Sequence, residues 1–185
     1  SDELVANRFR HGSKANAEEF FLGGIRETFL TMAHDGKKDF PITIYYAFKQ
    51  SEVVQEGVSS TGWATFLQAV IDSGYCIVGT WPMRTELANR MRSIGSNALA
   101  NSVVLVCRTR SEIITTATRS EFIRALKKEL PSAISDLQAA NVSPADMPQS
   151  AIGPGMGIFT RYEKVLEADD TLMSVKTALQ LINAE

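Results

Sequence analysis

Apolar residues recur along this chain at spacings that separate helix from strand. From about Lys14 to Ala33, Phe20, Phe21, Ile25, Phe29, Leu30 and Met32 repeat at helical intervals, predicting an amphipathic helix that the Asp35-Gly36 turn ends. Pro41 leads into ITIYYAF, Ile42 to Phe48, a short β-branched and aromatic run that reads as a buried strand. A polar loop, KQSEVVQEGVSS, follows. Ser60 or Thr61 can cap a second helix, in which Trp63, Phe66, Leu67, Val70 and Ile71 share a face before Ser73-Gly74 stops it. The strand YCIVGTWPM comes next, and a polar segment, RTELANRMRSIGSNALAN, separates it from a third, SVVLVCR.

This order is α/β. A crossover helix joins the first two strands, which are expected to run parallel; no such helix precedes the third, so the last pair is read as antiparallel. After Arg108 the texture changes. Thr118 or Ser120 can open a helix from Glu121 to Glu129 that Pro131 interrupts, with a further helical run ending near Asn141. SPADMPQSAIGPGMG reads as a Pro/Gly-rich turn region, IFTRYEKVLEADDTLM as a short hairpin around Asp169-Asp170, and Ser174 as the cap of a last helix, Val175 to Asn183. Residues 1–110 are taken as the sheet-bearing part and 111–185 as a mainly helical appendage packed on it.

Composition narrows the classes. With 185 residues, 44% of them apolar, and 19 Lys+Arg against 21 Asp+Glu, the chain has a core-forming composition and no general basic excess for coating nucleic acid. Cys76 and Cys107 lie in apolar runs, which suggests reduced thiols and a cytoplasmic setting. His11 and His34 have no ligand-like spacing to either cysteine, and no apolar stretch approaches the ~20 residues that span a bilayer, so no metal and no membrane are expected.

The densest chemistry is VGTWPMRTE, Val78 to Glu86. It puts the planar Trp81 and the charged Arg84 at a strand end, where α/β sheets bind ligands. Core packing for Trp81 and a surface pair of Arg84 with Glu86 compete with that reading. Arg90, Arg92, Ser93, Ser96 and Asn97 follow, suited to phosphates and base edges or merely solvated. Tyr46, Lys49 and Gln50 end another strand. Gly153, Gly155 and Gly157 lack the strand-to-helix context of a phosphate loop, and Arg161, Tyr162 and Lys164 form a small basic and aromatic group. No nucleophile, acid/base or paired-carboxylate constellation stands out.

Several segments, in order, resemble the C-terminal half of the large adenine-specific DNA methylases, whose members begin with an uncharacterised N-terminal domain and in some cases carry a zinc ribbon. They are SDELVANRFRHGSKANAEEFF, PITIYYAFKQSE, SSTGWATFLQAVIDSGYCIVGTWPMRTELANRM, SNALANSVVLVCR, FIRALKKELPSAI and SAIGPGMGIFTRYEKVLE. STGW, TWPMRTE and IGPGM are the most specific pieces. The resemblance implies part of a class I S-adenosylmethionine-dependent methyltransferase sheet (Rossmann-like) with a reversed last strand, and methyl transfer to the exocyclic amine of adenine in DNA. Ile42 to Phe48 would be its fifth strand. The family's Asp/Asn-Pro-Pro-Tyr/Phe motif and Gly-rich cofactor turn do not occur in the 185 residues.

The expectation is therefore a methyltransferase fragment that binds no cofactor and is inactive alone, with S-adenosylmethionine and DNA engaged by the full-length parent. A non-catalytic nucleic-acid-binding or interaction module with a partial methyltransferase fold is the alternative. A flipped base needs an aromatic or apolar wall. Trp81 is the candidate for it, with Tyr46, Arg84 and Asn97 as secondary substrate-binding residues. A fifth strand without its inner neighbour would expose backbone groups, predicting self-association along that edge or cover by another segment.

Overall fold

The computed structural model describes residues 3–5, 7–47, 61–83, 102–110, 115–142 and 147–185. The loop expected at 49–60 and the polar segment at 84–101 lie outside them. Local signals set most element boundaries. Asn7 and Ser13 cap α1 (Arg8–His11) and α2 (Lys14–Asp35), each side chain accepting a backbone N–H of the first turn. The apolar face of α3 (Thr61–Asp72) ends at Gly74, whose φ of 87° suits a residue without Cβ.

Three strands form the main sheet: β1 (Ile42–Ala47), β2 (Tyr75–Met83) and β3 (Ser102–Thr109), in the order β1-β3-β2. Both outer strands pair with β3 antiparallel, so β1 and β2 run in the same direction, as the crossover helix implied. They are not neighbours, however, because β3 lies between them. Two-residue alternation divides the sheet. Val103, Leu105 and Cys107 enter the core with Ile42, Ile44 and Tyr46 across from them, and Tyr75 and Ile77 join from β2. Trp63, Phe66, Leu67 and Val70 of α3 belong to the same buried cluster, and Phe29 of α2 meets Phe66 edge-on at 5.9 Å.

The second half departs from its expected pattern in three places. First, Pro131 does not interrupt the helix: α4 runs unbroken from Arg119 to Ala139. Pro131 is exposed, so the carbonyl it leaves without a donor can turn to water, while Phe122, Leu126, Leu130 and Leu137 bury one continuous face. Thr118 caps this helix reciprocally with Glu121, as a capping box.

Second, the Pro/Gly-rich stretch is a helix, α5 (Met147–Thr160), buried on nearly every side. Third, Ile158 and Phe159 therefore belong to α5 rather than to a hairpin. What remains of that hairpin is β5 (Lys164–Leu166), a tight turn with Asp170 at φ 61°, and one antiparallel bridge between Leu166 and Leu172. β5 pairs parallel with β4 (Thr116–Thr118), a three-residue strand too short for its pattern to be read from sequence. Ser174 caps α6 (Val175–Ala184), as expected.

Residues on both sides of position 110 contribute to one core cluster. Phe122 of α4 packs edge-on against Phe159 of α5 at 5.4 Å, and Ile182 of α6 occupies the space a side chain at Gly155 would need.

Candidate functional site

Strands β1 and β2 end at the same edge of the sheet, on either side of the beginning of β3. The register places Tyr45, Val104 and Trp81 in one row across the sheet, with Tyr46, Val103 and Pro82 in the next. Adjacent rows point to opposite faces. Tyr46 accordingly turns inward, its ring 5.0 Å from that of Trp63 and 4.4 Å from that of Phe66. Trp81 turns outward and is 49% exposed. The two residues singled out together thus lie on different faces.

Trp81's companion on the outer face is Tyr45, 69% exposed. Met83 is also exposed on β2, so the sheet presents aromatic and apolar groups at the shared end of two parallel strands. The signal for Tyr45 was available in ITIYYA: if Ile42 and Ile44 face the core, Tyr46 must follow them and Tyr45 must not. Arg84 and Asn97 lie outside the described residues, as do Lys49, Gln50 and the Arg90 to Ser96 group.

The two most specific sequence pieces after STGW meet at one joint. Pro154 lies inside α5 and has no N–H to give the carbonyl of Ser150. Thr80 of β2 supplies the missing donor: its hydroxyl lies 3.1 Å from the Ser150 oxygen and 3.0 Å from that of Gln149, and it accepts the N–H of Gly153 at 2.9 Å. Thr80 is almost fully buried. Gly153 permits the approach, because a Cβ there would run into the backbone of Gly79 and Thr80. At the other end of the helix the Thr160 hydroxyl accepts the N–H of Ile77 at 3.2 Å. Thr80 of TWPMRTE and Gly153 of IGPGM therefore share an architectural role: they lock α5 along the outer edge of β2. Trp63 of STGW is likewise a core residue, 1% exposed.

The basic and aromatic group after α5 is divided. Arg161 makes two hydrogen bonds to Glu129, at 2.9 and 2.8 Å, Tyr162 packs against the core, and Lys164 is exposed. The Arg161 guanidinium holds the Glu129 carboxyl below its ordinary range. Both cysteines are free. Burial, with a smaller contribution from Cys76, pushes the Cys107 thiol up to about 12, so it stays protonated and unreactive at neutral pH. Among the described residues, no three His, Cys, Asp or Glu side chains converge as metal ligands, and no helix is long and apolar enough to cross a membrane.

Comparison with protein-family models, with curated proteins and with solved structures gives no match.

Proposed function

We propose that this chain is the far edge of a DNA adenine methyltransferase sheet, whose cofactor-binding and Pro-Pro-Tyr segments are encoded elsewhere in the same gene. The observation that carries the proposal is the strand arrangement: a last strand, β3, runs antiparallel between two strands that run parallel. A reversed last strand is what the sequence resemblance implies. The outer edge of β1 pairs with no strand among the described residues, and in this reading a further parallel neighbour would add there.

In this reading Trp81 provides the planar wall for a base taken out of its stack, at the end of the sheet where α/β proteins hold ligands. Tyr45 joins it on the same face; Tyr46 supports that strand end from beneath by packing on Trp63. Arg84 and Asn97, which follow Trp81 in the chain, remain secondary candidates for base and phosphate contacts. S-adenosylmethionine would be held by the missing segments.

The test is the reading frame upstream of Ser1. A Gly-rich turn and an Asp/Asn-Pro-Pro-Tyr/Phe motif are expected there, and the joined polypeptide should transfer labelled methyl groups from S-adenosylmethionine to adenine in DNA. This chain alone should give no binding heat with the cofactor. Trp81→Ala in the joined protein should weaken DNA binding by about 1 to 3 kcal/mol. A frame without those motifs, combined with oligonucleotide binding by this chain that depends on Trp81, would instead identify a stand-alone nucleic-acid-binding module.

A further inference from the structure

On the outward face of the main sheet, Tyr45, Val104 and Trp81 form one row and Thr43, Val106 and Gly79 the next, with Arg108 two residues further along β3. Neighbouring strands lie about 4.8 Å apart, so Tyr45 and Trp81 rise from backbones separated by roughly 10 Å. The buried Val104 is the floor between them. Gly79 precedes Trp81 by two residues, and the indole leans back over it: Nε1 lies 3.7 Å from where a Cβ on Gly79 would stand. A ring laid along the sheet in this way keeps its other face open.

The other end of this face is basic. Arg108 is exposed, and its guanidinium reaches the Asp39 carbonyl at 3.5 Å, which brings the turn before β1 against it. That turn adds Lys37, Lys38 and the exposed ring of Phe40. Arg108, Lys37 and Lys38 enter no ion pair among the described residues, and the Asp39 carboxylate offsets one of the three charges. From Val104 to Arg108 the strand rises about 13 Å, the length of roughly four nucleotides stacked at ~3.4 Å each. Flat aromatic plates and unpaired cations thus share one open surface.

Inside a duplex each base has both faces taken by its neighbours, so rings standing on an open sheet serve a strand whose bases are unpaired. A second copy packed through the same face would bring the same net positive surface, whereas a nucleic-acid strand brings plates and phosphates together. We propose that this face binds an unpaired DNA strand, one base stacking on Trp81 and a neighbouring base on Tyr45, with the sugar–phosphate chain running toward Arg108. The proposal rests on the reading of Trp81 as a base-contacting residue and adds the substrate class: single-stranded rather than duplex DNA.

The chain holds two tryptophans and Trp63 is buried in the core, so quenching of the exposed indole reports stacking at Trp81. A mixed-sequence single strand of about 16 nucleotides, at the upper end of single-strand site sizes, should quench that emission at low salt. A blunt duplex of the same sequence should bind about tenfold more weakly or worse. By anisotropy of a labelled strand, Trp81→Ala and Tyr45→Ala should each weaken binding about 5- to 150-fold, the range that one lost stacked base implies, with unchanged circular dichroism. Arg108→Gln should flatten the slope of log K against log salt by about 0.7, the share of one phosphate on a single strand. Equal or tighter binding of duplex, binding undiminished in both aromatic variants, or no binding of the single strand would each overturn the site. Self-association that Trp81→Arg abolishes, without DNA binding, would assign the face to a second copy and overturn it too. The methyltransferase reading is decided separately, by the upstream motifs and by methyl transfer from the joined protein. The comparison of single strand with duplex uses the natural chain and decides the matter even if a variant fails to fold.

Discussion

The two edges of the main sheet are finished in opposite ways. Along β2, helix α5 covers the edge: the Thr160 hydroxyl accepts the Ile77 N–H that a neighbouring strand would otherwise have engaged, and the Thr80 hydroxyl meets backbone groups of the helix at Ser150 and Gly153. Along β1, no strand does so among the described residues, and the strand there, ITIYYA, carries neither a charge nor an internal proline. Edges with unpaired backbone and apolar side chains are normally blunted by charge, proline, bulges or cover. The contrast is between a β2 edge that a helix covers and a β1 edge that pairs with no further strand among the described residues.

The largest expected effect comes from prising the sealed edge open. Gly153→Ala puts a methyl group into the backbone of Gly79 and Thr80, and should cost about 3 kcal/mol in denaturant unfolding. A near-neutral result would mean that α5 does not lie against β2 as described. Thr80→Val keeps the shape and removes the hydroxyl, and with it the bonds to the Gln149 and Ser150 carbonyls and to the Gly153 N–H. A loss of about 1 to 3 kcal/mol is expected, most of it recovered in Thr80→Ser.

The clamp that ties α5 to α4 should matter less. Arg161→Gln breaks the pair with Glu129, but both side chains are more than a third exposed, so the loss should stay below about 1 kcal/mol. Because folding lowers the Glu129 pKa, the contribution is present above its ordinary value of 4.5 and disappears as pH falls through the folded value. The difference in melting temperature between wild type and variant should therefore shrink as the solution is acidified below 4.5. Smallest in stability, yet most informative about the open side, is Tyr45→Lys. It should alter unfolding free energy by less than about 0.5 kcal/mol while reducing concentration-dependent association in sedimentation velocity. A wild-type chain that sediments as a monomer at every concentration would show that β1 attracts no partner of its own kind.

Periodicity served well where one face of an element is dry and the other wet. The bounds of α2, α3, β2 and β3, and the caps at Thr118 and Ser174, follow from local residues. It failed for α5, whose Gly and Pro content reads as a turn when the stretch stands alone. That helix owes its continuity to a hydroxyl 70 residues earlier, which no local pattern announces. The candidate site shows the same division. Trp81 at the end of an apolar strand was visible, but choosing Tyr46 over Tyr45 depended on which alternate residues face the core. Ile42 and Ile44 settle that once the strand is known to be half-buried rather than buried on both faces.

The joint between Thr80 and α5 also constrains the order of events during synthesis. Thr80 reaches the nascent chain 73 residues before Gly153, the partner that donates to its hydroxyl, so the joint has high contact order and closes late. Until α5 emerges from the ribosome, β2 lacks the helix that covers its flank. A polypeptide released before position 147 would carry that uncovered strand margin, and its fate would be left to chaperones and proteases.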